Sequence, residues 1–303
     1  MSFLILLAAL LLTYYRPLPP KFAIGHGHKR FSQLLERSLN DGRARHGAIA
    51  WALSALLPTL LIGVAYYALW HIAPPLAALL GILVLYLAMD FRGFSTPAEA
   101  IAAALRDNNV QEARERLGIW NGQPAEAYSA AEIARVAIET ALMRAHYNLY
   151  ALVFWFMLLG PAGAALYRLA QSVDQAWGGQ EAAFNRVPRQ IFYWLDWLPA
   201  RFTAIGFAVV GDFEDALYCW RTQAVAWKNE AMGIMLASGA GALGVRLGEP
   251  LPFKGIVEYR PELGLGDAAD ADYLMSTVGL IWRTLVLMLA LMLLMTFANW
   301  LGN

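Results

Sequence analysis

The chain has 303 residues, is 59% apolar with a mean hydropathy of +0.45, and carries only 15% charged side chains. Soluble domains average about 25% charged and about 45–50% apolar residues, so this composition points to a membrane protein. Lysine plus arginine equals aspartate plus glutamate at 23 each, which excludes a global field for nucleic acid or acidic partners; the single cysteine, Cys219, excludes an internal disulfide or a multi-cysteine zinc site and reads as a small apolar residue.

Crossing a hydrocarbon core takes about 20 apolar residues. The opening "MSFLILLAALLLTYYRPLPP" lacks a basic leader region and an A-x-A-like cleavage site. It reads as a retained short membrane helix ending at Arg16-Pro17, with Tyr14 and Tyr15 at the interface. Residues 48–70 contain no charged side chain, and 72–89 follow His71 through a Pro74-Pro75 hairpin. Residues 147–167 form a third strong span, 190–210 a weaker one containing Asp196 and Arg201, and 278–300 the last, broken only by Arg283. Together these predict an all-α, polytopic transmembrane bundle of about four to six spans.

Residues 16–47 carry Arg16, Lys21, Lys29, Arg30, Arg37, Arg43 and Arg45 against Glu36 and Asp41; segment 90–146 adds six arginines, and 211–277 five Lys or Arg. The alternate connections are poorer, with none in 71–75 and Arg168, Arg186 and Arg189 in 168–190. The positive-inside rule then places the long connections in the cytoplasm and both termini outside, in a bacterial inner membrane. Segment 90–146 is polar yet helical in pattern. Thr96-Pro97-Ala98-Glu99, Asn109-Val110-Gln111-Glu112 and Ser129-Ala130-Ala131-Glu132 each read as a helix start with a capping residue. In the third helix Arg135 and Glu139 stand at i,i+4, Ile133, Ala137 and Ala141 share a face, and the helix runs on into the span at Tyr147. The expectation is a single domain over 1–303, with 90–146 as a cytoplasmic helical platform.

Four features invite a functional reading. "SGAGALG" places Gly239, Gly241 and Gly244 at the G-x-G-x-x-G spacing of a dinucleotide fingerprint. The preceding "WKNEAMGIMLAS" is helix-forming rather than strand-forming, so close helix packing is the favoured reading. Asp196 and Arg201, inside a span and separated by Pro199, read as a functional pair or as a structural one. "GHGHKR" offers His26 and His28, with His46 beyond; a basic loop near phospholipid headgroups is favoured over a metal site. Asp267, Asp270 and Asp272 could hold magnesium with a nucleotide phosphate, or could favour the start of the following helix. No Walker-type phosphate loop occurs.

In order, "RVAIETALMRAHYNLYALVFWFMLLGPAGAALYRLAQSVD", "LDWLPARF", "DALYCWR", "AGALGVRLGEP" and "RPELGLGDAADADYLMSTVGLIW" resemble a series of elements in the CobD/CbiB family, over roughly residues 100–283. That resemblance implies an integral membrane enzyme of cobalamin biosynthesis, an adenosylcobinamide or adenosylcobinamide-phosphate synthase. Such an enzyme joins an aminopropanol unit to a corrinoid carboxylate with ATP and magnesium. Glu139, Thr140, Tyr167, Arg168, Asp174, Pro199, Arg201, Arg221, Gly266, Asp267 and Asp272 fit the family pattern. Other positions depart from it. The A-E-N-x-x-D-G after E-T reads Leu142-Met143-Arg144-Ala145-His146-Tyr147-Asn148, and paired aspartates read Phe192-Tyr193. The H-x-S-P-N is missing around 226–229, the S-E before the glycines reads Met235-Leu236, and the N-terminal D-x-x-x-G-D-P is absent.

These departures resemble the related AmpE-like branch, inner-membrane proteins linked with sensing or regulation in β-lactamase induction. "HGHKRFSQLLER", the L-D-W-x-P-x-R and G-x-x-E-x-A-L patterns, and Asp196 in place of the synthases' Asn carry that likeness. It implies a non-catalytic sensing, regulatory or scaffold role. The partner that this role implies is another membrane or cytoplasmic protein, beside the lipid bilayer expected from the apolar spans and with no nucleic acid expected from the charge balance. The competing expectation is the ATP- and magnesium-dependent synthase, its metal ligands unassigned; a transport component using Asp196 and Arg201 is a third.

Overall fold

A computed structural model of the chain describes residues 2–19, 24–177, 183–253 and 256–301. In chain order the elements are α1 (Ser2–Tyr15), α2 (Ile24–Leu39), α3 (Ala44–Trp51), α4 (Leu57–Ile72), α5 (Pro74–Ala88), α6 (Ser95–Arg106), α7 (Val110–Asn121) and α8 (Ala130–Ala145). They continue with α9 (Ala151–Trp177), α10 (Ala183–Val210), α11 (Phe213–Gln223), α12 (Glu230–Leu243) and α13 (Ala271–Leu301). One π-turn, Ala52–Leu56, joins α3 to α4 and another, His146–Tyr150, joins α8 to α9. Among the described residues four short strands lie between α12 and α13: β1 (Val245–Arg246), β2 (Leu251–Phe253), β3 (Ile256–Glu258) and β4 (Asp267–Ala268). The all-α expectation holds, with these strands as a minor addition: β1 pairs parallel with β4, and β2 antiparallel with β3, where Pro252 stands opposite Val257.

By length and composition, three of the described helices can cross a membrane: Ala44–Ile72, Ala130–Trp177 and Ala271–Ala298. Shorter apolar helices are α1, α5 and α12. Thus the run expected at 72–89 becomes a 15-residue helix, about 22 Å long at 1.5 Å per residue. The region 190–210 lies in α10, which is outside this set, and α12 joins it instead. The chain forms two compact units, Met1–Phe91 with Asn148–Pro199, and Arg92–Tyr147 with Ala200–Asn303.

Prolines shape the first unit. A proline inside a helix lacks the N–H that would bond the carbonyl four residues back. In an apolar setting that carbonyl needs another donor. For Pro58 the carbonyl is that of Ser54, and it accepts from His28 Nε2 at 2.9 Å. For Pro199 it is that of Leu195, which accepts from Trp155 Nε1 at 3.1 Å. For Pro188 it is that of Phe184, which lies so close to Gly47 that a Cβ there would collide with it. A glycine Cα–H can approach such a carbonyl where a larger residue cannot. Pro161 is handled differently: Gly160 before it adopts φ 64°, ψ −153°, and α9 kinks there.

The expected basic loop at 25–30 lies in the first turns of α2. The His26 side chain lies outside the described residues. His28 is tied to Ser54, and His46 Nδ1 meets Asp41 at 2.6 Å.

In the second unit, α8 is buried on nearly every side rather than on one face. Of the three expected caps, Asn109 accepts from the Glu112 N–H, and Ser129 with Glu132 forms a full capping box. The third does not form. Helix α6 starts at Ser95 with no side-chain cap, because Phe94 is buried edge-on to Trp282 at 6.1 Å and occupies the N-cap. Pro97 stands in the first turn of α6, where its missing N–H costs no helical bond, and the Gly93 carbonyl before the helix accepts from Trp120 Nε1 at 2.9 Å.

Replacing Trp155 with Phe should destabilise the protein by about 1–3 kcal/mol, the cost of stranding a buried acceptor. In a Pro199→Ala background, where residue 199 regains its N–H, the same replacement should cost clearly less. Thermal unfolding of the four proteins in detergent, treated as a double-mutant cycle, measures the difference.

Candidate functional site

The second unit gathers its charged groups around α8. Arg135 and Glu139 stand one turn apart, as the i,i+4 spacing predicts, but they do not pair with each other. Both reach instead to the segment after α12. The Glu139 carboxylate, on a residue only 3% exposed, accepts the Gly248 N–H at 2.8 Å and pairs with Arg260. Arg260 also lies over the Trp227 ring, 5.3 Å from its centre. Arg135 pairs with Glu249 and donates to the Pro250 carbonyl at 3.2 Å. Two helical charges therefore fix three consecutive residues, 248 to 250, onto α8. The backbone there is left-handed, at φ 73° for Gly248 and φ 58° for Glu249. For a non-glycine residue this costs on the order of 1–3 kcal/mol, which the Arg135 pair offsets at least in part.

The glycine run sits just before this segment and is a packing element. Helix α12 is buried almost throughout. A Cβ on Gly239 would stand 2.9 Å from Leu142 Cδ1, and one on Gly241 would strike the Asp215 carbonyl. Gly244 ends the helix in the left-handed conformation, φ 67°. A helix thus precedes the glycines where a dinucleotide site needs a strand. Beside it on α11, Cys219 is fully buried, and burial with the nearby Asp215 pushes its thiol up to about 11, so it packs as an apolar residue.

From Gly244 the chain is held in place by backbone pairing of Leu247 with Leu263 and by the Gln223 amide, which brackets Gly264 at 2.6 and 3.1 Å. This presents Asp267, Asp270 and Asp272 at the start of α13. Asp267 accepts from Tyr273 Oη at 3.0 Å, and Asp270 accepts the Asp272 and Tyr273 N–H groups, both at 2.9 Å, as a helix cap does. Asp272 pairs with Arg106 at 2.6 Å. A cleft of about 280 Å³ opens here, lined by Arg106, Ala130, Ala131 and residues 269–272 among others. Its lining joins the N-terminal ends of α8 and α13 and one guanidinium with the Asp270 and Asp272 carboxylates; Arg106 is taken up by Asp272, and the helix ends are capped by Ser129 with Glu132 and by Asp270. Among the described residues no three His, Cys, Asp or Glu side chains are placed to hold a metal ion. The three aspartates, engaged with a tyrosine, a helix end and an arginine, do not fit a ready magnesium site.

The remaining sequence candidates divide between the units. Thr140 bonds back to the Val136 carbonyl at 2.7 Å, and Arg201 pairs with Glu230 at 2.9 Å. Arg221 is exposed in the last turn of α11. In the first unit Tyr167 Oη donates to the buried Asp196 at 2.6 Å, and its ring meets Phe192. Asp174 lies within electrostatic reach of Arg189 and Asp196. Arg168 donates to the Ala88 carbonyl at the end of α5 (2.6 Å), to Asn148 Oδ1 (3.0 Å) and to Gln171 Oε1 (2.7 Å). It closes a helix C-terminus as well as crossing between helices.

The family model for the CobD/CbiB protein matches residues 6–281. The chain belongs to the CobD/CbiB family. Among curated relatives of this CobD/CbiB chain, a cobalamin biosynthesis protein CobD of Stutzerimonas stutzeri is 34% identical, covering 93% of this chain and 91% of its own length. One of Chromobacterium violaceum is 33% identical, with 96% of each covered. A third, of Leptospira interrogans, is 25% identical over 71% of this chain and 70% of its own. No solved structure matches the chain. The membrane location fits both the family and the apolar helices. These relatives give no support to the AmpE-like branch or to a regulatory role.

Sequence reasoning placed Arg135 and Glu139 on one face but missed their partners Gly248, Glu249 and Arg260. A glutamate between glycine and proline was the available signal, since G-x-P marks a turn that can demand positive φ. Arg106 and Tyr273 had no local signal. Replacing Arg260 with Met should leave Glu139 buried without its cation and cost about 3–5 kcal/mol. The Glu139→Gln/Arg260→Met double variant should recover most of that loss, as measured by thermal midpoints.

Proposed function

We propose that this chain acts in cobalamin biosynthesis as an amide-forming synthase. It joins the amine of an aminopropanol unit to a corrinoid carboxylate, with ATP as the third substrate. The observation that carries this reading is the pair of relatives named CobD, 33% and 34% identical over more than nine-tenths of both chains. That breadth outweighs the departures at 142–148, 192–193 and 235–236, and it favours the synthase over a non-catalytic sensor. In the reaction the carboxylate oxygen leaves with phosphate, a C–N bond forms, and the amine loses a proton. The cleft at Arg106 takes a phosphate-bearing substrate if that substrate displaces Asp272 from the guanidinium, which then compensates the phosphate charge. Glu139 and Arg135 act at one remove by fixing the segment that leads to Asp267. Among the described residues the aspartates, each already engaged, do not form a site for magnesium.

The test uses the purified full chain in detergent with ATP, magnesium, a corrinoid acid and aminopropanol or its phosphate, and the Stutzerimonas stutzeri relative as positive control. Mass spectrometry should find the corrinoid amide, with phosphate release that needs both organic substrates. Arg106→Gln should lower kcat/KM by about tenfold or more, about 1.4 kcal/mol of transition-state stabilisation. A folded chain that makes no amide while the control does would overturn the proposal.

A further inference from the structure

Helix α2, IGHGHKRFSQLLERSL, has two faces of different chemistry. Its inner side is fixed in rotation by three hydrogen bonds within the first unit. His28 Nε2 donates to the Ser54 carbonyl at 2.9 Å, Ser32 Oγ meets Ser54 Oγ at 3.0 Å, and Trp177 Nε1 donates to the Ser32 carbonyl at 2.9 Å. His28 and Ser32 are one turn apart, so these bonds act on one stripe of the helix. The opposite arc carries Lys29, Arg30, Gln33 and Arg37, all exposed. Along one edge of that arc Phe31 and Leu34 are 46% and 62% exposed. Among the described residues the three cations make no ion pair, and Glu36 is the only acidic residue of the helix.

We propose that this outer face of α2 docks onto the headgroup layer of a membrane containing anionic lipid. Chain continuity places the helix there. Tyr15, the end of α1, lies nine residues before Ile24, a reach of about 30 Å. The spanning helix Ala44–Ile72 begins five residues after Leu39. Both ends of α2 are thus tethered close to where the chain meets the bilayer. A cationic arc beside an apolar edge is the composition of a helix lying in the interface, with Phe31 and Leu34 reaching toward the acyl boundary and the cations meeting lipid phosphates. The cations spread over more than two turns and enclose no pocket, which suits a surface of many headgroups rather than one small anion.

The test is fluorescence of the full chain carrying Leu34→Cys labelled with an environment-sensitive probe; the natural cysteine, Cys219, is buried. The labelled protein is placed in nanodiscs of phosphatidylcholine alone or with about 30% phosphatidylglycerol, whose anionic headgroups attract basic side chains. Blue-shifted emission, and quenching by lipids with a nitroxide near the headgroup, are expected to be at least threefold stronger in the anionic discs. Molar salt should remove that excess, because its screening length is only about 3 Å. The Lys29→Gln/Arg30→Gln/Arg37→Gln variant should lose it too. The salt series keeps the natural charges, so the test stands if that variant fails to fold. Equal quenching by aqueous iodide in both discs would overturn the proposal. So would a probe shielded from iodide and from lipid nitroxide alike, which would mean that protein covers the face.

Discussion

A backbone carbonyl stripped of its helical donor cannot remain bare among apolar side chains, and much of this structure is arranged around that constraint. At Pro58, Pro199 and Pro188 a helical carbonyl loses its usual donor, and each is met by a neighbour: His28 for Ser54, Trp155 for Leu195 and Gly47 for Phe184. These contacts do two things. They remove a penalty that lipid would not relieve, and they fix which helix faces which, because each donor has one productive direction. The orientation of α2 follows from the first of them, and so does the side of the helix left over for other partners.

The second unit applies the same economy to charge. Arg135 and Glu139 would serve as an ordinary solvent-facing pair on an isolated helix. Here α8 is buried, and each must find compensation from elsewhere in the chain. The segment 248–250 supplies it through Glu249, the Gly248 amide and the Pro250 carbonyl, with Arg260 closing the group. Burial turns a local helix-stabilising motif into a long-range clamp, and the clamp holds the path from the glycine run to Asp267.

The sequence was legible where structure depends on near neighbours. The apolar runs marked α4, α5 and α13, Asn109 and Ser129 marked their helix starts, and the residues before the glycines argued against a nucleotide loop. It was illegible where tertiary packing overrode the local signal. Thr96 had every feature of a cap, yet Phe94 displaced the start by packing on Trp282. Glycines 25 and 27 suggested a loop, yet α2 forms because His28 and Ser32 bind across to Ser54. The cleft beside Arg106 brings together residues more than 160 positions apart, a pairing that no spacing rule encodes. The spread of the candidate residues over two units is hidden for the same reason.

Gly160 shows a constraint of another kind. Its φ 64° and ψ −153° are close to the mirror image of polyproline II, and a Cβ built there would meet nothing within 4 Å. Room is plentiful; only handedness forbids a side chain. A D-alanine introduced by chemical synthesis would fit the kink without strain and would narrow the freedom of the unfolded chain, whereas every L-residue would be forced off it. The ribosome has one achiral residue to offer at such a point, and this helix bends where that residue stands.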